Sequence, residues 1–281
     1  MPRRAGGEGM RRPKPENATP ARKRFGQHFL TDPRILARIA DAVGIAEGDT
    51  VVEIGPGRGA LTEHLAARVG PSGRLIVVEV DRHLTADLRQ RYAGDSRVTV
   101  VEGDVLDTSF TEQVSGPYLL AGNIPYNITT PLIFRALEPP RAERIVFLVQ
   151  REVADRLAAP PGSESYGALS ANAQALATIE TVFKVSAGAF NPPPKVESAV
   201  IRVVPRANPV VTQAEEAPFR ALVTSLFSFR RKQMARAVRE ALSLDASAAA
   251  DVLARAGIRS TDRPEVLAPE DFARLLRASR A

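Results

Sequence analysis

The series of short apolar runs in this chain, separated by longer stretches of helical character, constrains its fold more than any other feature. Five runs that end in polar or glycine-containing loops lie at residues 50–54, 75–78, 98–101, 118–122 and 145–149. Strands that alternate with helices predict right-handed βαβ units, and therefore a parallel sheet covered by helices on both faces. Two later β-rich runs, at residues 181–185 and 198–204, are predicted to complete the sheet. The predicted fold class is α/β.

Helical periodicity replaces this alternation after Pro205. Between residues 218 and 280 the apolar side chains recur at helical spacing, as at Phe219, Leu222, Val223 and Leu226. We therefore predict a Rossmann-like α/β domain over residues 24–205 and a small all-helical domain over residues 206–281. Residues 1–23 are rich in Arg, Pro and Gly and nearly free of large apolar side chains, so a disordered basic arm is predicted there.

The composition excludes several classes of protein. Hydrophobic residues make up 44% of the chain and charged residues 25%, which is ordinary for a globular protein, and no apolar run is long enough to span a membrane. The chain has no Cys and only three scattered histidines, so a disulfide, a thiol nucleophile and a metal centre are not expected. The basic N-terminus lacks the apolar stretch of a secretory signal. We expect a cytoplasmic, metal-free protein, and no feature requires more than a monomer.

Positive charge is concentrated at the two ends of the chain. Residues 1–24 hold eight basic and two acidic residues, and residues 206–281 hold 13 basic and nine acidic ones, whereas residues 25–205 hold 17 basic and 21 acidic ones. Basic ends favour a polyanionic partner such as nucleic acid, although a solvated tail and an ordinary basic helix face would give the same asymmetry.

The densest basic segment of the helical part spans residues 228–239 and contains Arg230, Arg231, Lys232, Arg236 and Arg239. If this segment is helical, Lys232, Arg236 and Arg239 fall close to one face. Such a face suits contacts to phosphates, which position RNA without reading its sequence. These five residues are therefore candidates for RNA binding, and a solvated basic face is the alternative.

Polar groups follow the first three predicted strands where each one ends. Residues 55–59 form a glycine-rich loop between a strand and a helix, where backbone amides at a helix N-terminus are open to a ligand. Glu79 follows about 20 residues later, where a carboxylate can accept from ribose hydroxyls. These two features also fit a nicotinamide dehydrogenase. A further acid at the next strand end, Asp104, is well placed to bind the amino group of a cofactor adenine, which a dehydrogenase would not need.

The fourth strand delivers the segment Asn123-Ile124-Pro125-Tyr126 to the same predicted edge. An Asn side chain pairs naturally with adenine, because its carbonyl oxygen accepts from the exocyclic amino group. A Tyr three residues later can stack on the same base. A simple turn at the end of a strand would have a similar sequence, but the acids and the glycine-rich loop at neighbouring strand ends favour a nucleotide site.

These segments resemble the S-adenosylmethionine-dependent adenine dimethyltransferases of small-subunit (16S) rRNA. The resemblance covers nearly the whole chain, closely from Arg24 to about Pro205, and rests on residues 24–30, 53–59, 79–81, 123–128 and 190–198. The family usually has Asn where this chain has His28. The resemblance implies a Rossmann-like methyltransferase sheet followed by a helical rRNA-binding domain.

The resemblance also implies a role for individual residues. Those implied to contact S-adenosylmethionine are His28, Leu30, Gly55, Glu79, Asp104 and Asn123. Those implied to hold the target adenine are Asn123, Ile124, Pro125, Tyr126 and Phe190. The adenine amino group would donate to the Asn123 side-chain oxygen and to the backbone carbonyl of Ile124 or Pro125. Tyr126 would stack on one side of the base, and Phe190 would close over the other.

The activity implied by the resemblance is dimethylation of two adjacent adenines in a loop near the 3′ end of small-subunit rRNA, during ribosome assembly. Three alternatives stay open at this point. One is a methylase that acts on large-subunit rRNA and confers antibiotic resistance. Another is an assembly factor that acts mainly by binding the RNA or the ribosomal particle. The third, least favoured, is the dehydrogenase.

Overall fold

The computed structural model of the chain describes residues 28–280. The predicted basic arm, residues 1–23, and the first part of the predicted methyltransferase domain, residues 24–27, lie outside the described residues. The strands are β1 Phe29–Leu30, β2 Thr50–Ile54, β3 Arg74–Glu79, β4 Val98–Glu102, β5 Leu119–Asn123, β6 Arg144–Gln150, β7 Ala177–Val185, β8 Phe190–Asn191 and β9 Ser198–Pro205. The helices are α1 Pro33–Val43, α2 Ala60–Arg68, α3 Arg82–Arg91, α4 Thr129–Ala136, α5 Arg151–Leu157, α6 Ala168–Gln174, α7 Gln213–Ser228, α8 Met234–Leu242, α9 Ala246–Ala256 and α10 Pro269–Ala278.

All seven predicted strands lie in one sheet, in the order β4-β3-β2-β5-β6-β9-β7. The first five strands of that order are parallel, whereas β9 runs antiparallel to β6 and to β7. The predicted Rossmann-like architecture is confirmed. Since β2 has β3 on one side and β5 on the other, the strand order reverses at β2. A reversal of this kind opens a crevice beyond the carboxyl ends of the strands, where ligands bind in α/β sheets.

The side chains of the sheet alternate between two hydrophobic clusters, one on each face. Val51 belongs to the cluster that α1 and α2 cover, and the next residue, Val52, belongs to the opposite cluster. The helix α1 starts where the sequence favours it, since the Asp32 side chain caps it and Pro33 occupies its first turn. Because helices cover both faces of the sheet, the ends of the strands are where a ligand can approach it.

The helices after Pro205 pack against the sheet rather than standing apart from it. Phe219 and Phe272 belong to the same hydrophobic cluster as Phe147 of β6. An ion pair of 2.6 Å between Arg141 and Glu216 joins the two parts as well. The core is therefore continuous across Pro205, and the division into two domains stays a prediction. Among residues 28–280 the protein has no helix that is both long and apolar enough to cross a membrane.

Candidate active site

A cavity of about 420 Å³ opens at the carboxyl ends of β2, β3, β4 and β5. It brings together side chains and loops that are far apart in the sequence. The residues that the sequence predicts for a cofactor and a target adenine, and that line this cavity, are His28, Leu30, Gly55, Glu79, Asp104, Asn123, Ile124, Pro125 and Tyr126. Among the described residues, no group of His, Asp and Glu is arranged to hold a metal ion.

The glycine loop after β2 has a backbone that only glycine adopts without strain. Gly57 has a φ of 57°, and a Cβ atom there would lie 3.0 Å from the Phe29 ring. The Gly57 amide donates to Glu79 Oε2 at 3.1 Å. The loop is thereby fixed against the end of β3, with the first turn of α2 directed into the cavity.

Glu79 is held as an oriented hydrogen-bond acceptor at the end of β3. Only 5% of its surface is exposed. Its Oε1 atom accepts from the Asp81 amide at 3.0 Å, and its Oε2 atom accepts from Gly57. Burial raises the pKa of Glu79, and the two backbone hydrogen bonds act in the opposite direction. Each carboxylate oxygen keeps lone pairs for a ligand with neighbouring hydroxyl groups.

Asp104 differs from Glu79 in that its side chain is exposed. Its Oδ1 atom accepts from the Leu106 amide at 2.9 Å, in a turn that directs the carboxylate towards the cavity mouth. This places a second acceptor at the next strand end, beside that of Glu79.

Glu53 is a functional candidate that the sequence reasoning missed. It lies within β2, is 1% exposed and lines the cavity, and one of its carboxyl oxygens has no hydrogen-bond partner among the described residues. Burial raises the pKa of Glu53 to about 8, and the nearby charge of Glu79 adds to the rise. An acid inside a strand of Val and Ile was the signal that could have identified it.

In the loop after β5, the side-chain amide nitrogen of Asn123 and the backbone carbonyl of Pro125 already form hydrogen bonds within the protein. Asn123 Nδ2 donates to the backbone oxygen of His28 at 3.0 Å, so the Asn123 Oδ1 atom is the end of the amide left to accept from a ligand. The Pro125 carbonyl accepts from the Ile128 amide at 3.1 Å and from the Thr129 hydroxyl at 3.3 Å. The sequence left the Ile124 and Pro125 carbonyls as alternative acceptors for the adenine amino group. Because the Pro125 carbonyl is engaged, the Ile124 carbonyl is the better candidate.

One pair of stacked rings and one cation–π pair lie among the residues that line the cavity. The rings of His28 and Tyr126 face each other, with centroids 5.9 Å apart and planes inclined by 26°. The Tyr126 hydroxyl is hydrogen-bonded to the buried Ser198 hydroxyl at 2.7 Å. On the neighbouring side, the Arg58 guanidinium lies 4.5 Å over the Phe29 ring. The rim therefore presents flat surfaces on which a base could stack.

Phe190 does not lie where the sequence led us to expect it. It is 4% exposed and belongs to the hydrophobic cluster beneath α1, and it is not one of the residues that line the cavity. The reason is a two-stranded sheet that the sequence did not reveal, in which β8 pairs with β1 and sets Phe190 opposite Leu30. In this structure Phe190 is a core residue, and its predicted contact with the base is not supported.

The C-terminal basic segment is not one helix. The condition under which Lys232, Arg236 and Arg239 would share one helical face is not met, because α7 ends at Ser228 and α8 begins at Met234, with Lys232 in the turn between them. The Met234 amide donates to the Asp262 carbonyl at 2.7 Å, which starts α8 against a different loop. Arg230 is engaged within the protein, since its Nε atom donates to Glu265 at 2.7 Å.

The remaining basic residues of the segment are exposed. Arg231 and Lys232 lie in the turn, and Arg236 and Arg239 lie on the solvent side of α8. Arg236 faces Glu240 at 3.6 Å, in a pair that is exposed on both sides and therefore contributes little. These four side chains are available to an anionic partner.

Comparison with known proteins identifies the family to which the chain is similar. The family model described as "Ribosomal RNA adenine dimethylase" matches residues 18–278. The "Ribosomal RNA small subunit methyltransferase A" of Geobacter sulfurreducens is 42% identical, over 91% of this chain and 94% of that protein. A crystal structure of a dimethyladenosine transferase from Plasmodium falciparum has a TM-score of 0.76 and 28% identity, with 88% of this chain and 96% of that chain covered. The 23S rRNA methyltransferase ErmE has a TM-score of 0.69 and 27% identity, with 90% of this chain and all of that chain covered.

Proposed function

Because this chain belongs to the ribosomal RNA adenine dimethylase family, we propose that its cavity methylates two adjacent adenines of small-subunit rRNA, twice each, with S-adenosylmethionine as methyl donor. One observation carries the proposal. The strand ends that offer Glu79 and Asp104 and the loop from Asn123 to Tyr126 line the same cavity. This shared lining supports a cofactor site that adjoins an adenine site, which methyl transfer requires.

The groups in the cavity fit S-adenosylmethionine, which supplies an electrophilic methyl group on a sulfonium when it is bound. Glu79 would accept from the ribose hydroxyls and Asp104 from the cofactor's adenine amino group. The loop at Gly55 and the first turn of α2 would bind its carboxylate. Glu53, buried with an unpartnered oxygen, is a polar group that an apolar ligand would leave unsatisfied and that a hydrogen-bonding group of the cofactor would satisfy.

The target adenine would be held by two acceptors. Its exocyclic nitrogen is a weak nucleophile, since the lone pair is delocalised into the ring. Acceptors at Asn123 Oδ1 and at the carbonyl before Pro125 favour the tetrahedral nitrogen that attacks, and then stabilise the positive charge that develops on it. No strong base is needed, because the proton can leave to water after transfer. Methyl transfer also requires that the exocyclic nitrogen is placed in line with the methyl group that it attacks.

The substrate would be an unstacked adenine, because a base within a helix cannot reach the cavity. We extend the proposal to the partner, which would be small-subunit rRNA or an assembling small subunit in the cytoplasm. Residues 206–281 would form the RNA-binding domain, with phosphate contacts from Arg231, Lys232, Arg236 and Arg239. The 42% identity to a small-subunit enzyme over most of both chains supports this choice of subunit.

The test is transfer from labelled S-adenosylmethionine to separated small and large ribosomal subunits that lack the modification, followed by identification of the methylated nucleosides. Dimethyladenosine in the small subunit alone is the expected result. Label in the large subunit would instead place the chain with enzymes such as ErmE. Tight particle binding with no label would indicate an assembly factor. An Asn123→Ala variant in parallel ties any label to this cavity.

A further inference from the structure

The glycine loop between β2 and α2, residues 55–59, is tethered from outside the cavity by a side chain of α3. Arg91 is the last residue of α3 and does not line the cavity. Its Nη1 atom donates to the backbone carbonyl of Arg58, in the glycine loop, at 2.8 Å. We propose that Arg91 is a positioning residue for S-adenosylmethionine, because it fixes the backbone of the glycine loop at the start of α2. This inference rests on the proposed function, which places the cofactor in this cavity.

The start of α2 lacks the side-chain cap that usually fixes the first turn of a helix. An N-cap residue normally has an extended backbone and a side chain that accepts from an amide of the first turn. The N-cap of α2 is Gly59, which has no side chain to cap with and whose backbone is left-handed, with a φ of 78° and a ψ of 20°. Glycine also loses more conformational freedom on ordering than any other residue. The peptide between Arg58 and Gly59 therefore depends on hydrogen bonds from other groups.

A hydrogen bond on each side holds this peptide. The Gly59 amide donates to the Pro56 carbonyl at 2.9 Å, which closes a turn within the loop itself. The Arg58 carbonyl accepts from Arg91, which ties the loop to a different element of the fold. The approach of Arg91 requires glycine at residue 59, because a Cβ atom there would lie 3.0 Å from Arg91 Nη1. The same guanidinium nitrogen lies 3.3 Å from Glu63 Oε1 of α2.

The tether bears on the cofactor because Ala60 and Leu61 follow the held peptide directly and line the cavity. The amides in the first turn of a helix have no acceptor within the helix, and they bind anions such as a carboxylate. A loop that leaves its binding conformation for part of the time binds its ligand more weakly in the same proportion. Arg91 thereby increases the affinity for S-adenosylmethionine without contacting it.

Three substitutions separate the bond to the Arg58 carbonyl from the effects of charge and of helix stability. Arg91→Ala removes the donor. Glu63→Gln removes the negative charge that faces Arg91 and leaves the donor in place. Arg89→Ala is the matched control, because Arg89 lies on the same helix and also donates to an acid, Glu102 of β4 at 3.4 Å, away from the glycine loop.

The experiment measures the dissociation constant of S-adenosylmethionine by calorimetry, well below the melting temperature of every variant, and then KM and kcat for unmodified small subunits. Arg91→Ala should weaken cofactor binding by about three- to tenfold, the range expected for one hydrogen bond. At saturating cofactor its kcat, and its KM for the particles, should change by less than about twofold, because added ligand restores the binding conformation. Glu63→Gln and Arg89→Ala should bind the cofactor within about twofold of the wild type, since exposed ion pairs contribute little.

Three results would overturn the inference while the wild-type protein binds S-adenosylmethionine. The first is an unchanged dissociation constant for Arg91→Ala, with or without a lower melting temperature, which would make the bond a contribution to stability only. The second is equal weakening by Glu63→Gln, which would assign the effect to the ion pair. The third is equal weakening by Arg89→Ala, which would assign it to α3 or to net charge. Wild-type protein that does not bind S-adenosylmethionine would instead refute the proposed function.

Discussion

The cavity and the C-terminal basic segment gather their residues in opposite ways. Gly55, Glu79, Asp104 and Asn123 are far apart in the sequence, and the structure brings them to one cavity. Residues 228–239 are contiguous, and the structure divides them between a helix end, a turn and a second helix. Proximity in the sequence was thus a poor guide to proximity in space.

The difference has a physical cause. In a parallel sheet every strand points the same way, so the carboxyl ends must meet at one edge whatever the length of the connections. A shared helical face exists only as long as the helix continues, and a helix ends where its first or last polar groups find other partners. The Met234 amide finds the Asp262 carbonyl, and the expected face ends there. Substitutions in the cavity and substitutions in the basic segment should therefore have effects of different size.

The largest effect is expected for Asn123→Ala, which removes one of the two acceptors for the amino group. Loss of one preorganised hydrogen-bond partner of a reacting group costs about 10²–10³-fold in kcat, whereas the fold should be retained. Single-turnover methyl transfer to unmodified small subunits measures the loss. Asn208→Ala, at an exposed Asn beyond β9, is the control. Near-normal turnover by Asn123→Ala would contradict the assignment of Asn123 as an acceptor for the adenine amino group.

The next effect concerns Glu53 and the pH dependence of stability. With a folded pKa of about 8 against an ordinary value of 4.5, the folded protein keeps a proton that the unfolded chain loses between these values. Stability should therefore fall as the pH rises, by about 1.4 kcal/mol per pH unit from this group. The contribution is fully present below pH 4.5 and lost by about pH 8.

Urea unfolding of the wild type and of Glu53→Gln at several values between pH 5 and pH 7.5 measures this contribution. The amide resembles the protonated acid, so the difference between the two proteins should grow in favour of the variant as the pH rises. Glu143→Gln changes an exposed acid and should follow the wild type. Parallel pH curves for Glu53→Gln and the wild type would show that Glu53 ionises normally in the fold.

A smaller effect is expected for Glu79→Ala on cofactor binding. Hydrogen bonds to a charged group contribute about 1.5–3 kcal/mol each, so affinity for S-adenosylmethionine should fall by about tenfold to a hundredfold. Glu102→Ala is the matched control, because Glu102 is the register neighbour of Glu79 on β4 and does not line the cavity. Calorimetry compares the two. Equal effects of both substitutions would mean that general negative charge, rather than the position of Glu79, holds the cofactor.

The sequence was sufficient where a pattern repeats over many residues. The seven long strands follow from the alternation of strands and helices, and so do the strand-end positions of Glu79 and Asn123. It was insufficient for β1 and β8, since a strand of two residues has no periodicity to detect. The burial of Phe190 follows from that pairing, so the sequence could not show it for the same reason.

Glu53 and residues 228–239 show a second limit. The sequence shows that Glu53 lies among apolar neighbours, but only the packing of both faces shows that it is 1% exposed and has an unpartnered oxygen. The helix break before Met234 depends on the Asp262 carbonyl, which lies 28 residues further along the chain. Local helix propensity contains no information about a hydrogen-bond partner that is so distant in the sequence.

The smallest effect is expected in the C-terminal basic segment, where the double substitution Lys232→Glu and Arg236→Glu reverses two exposed charges. Each phosphate contact that is lost should reduce the slope of log affinity against log salt by about 0.7–0.9, with little change in kcat at saturating RNA. Arg255→Glu with Arg280→Glu, also exposed, makes the same change in net charge elsewhere. If both doubles flatten the slope equally, the segment acts only through overall charge. If only the first does, the turn and α8 form a localised phosphate site although they do not share one helical face.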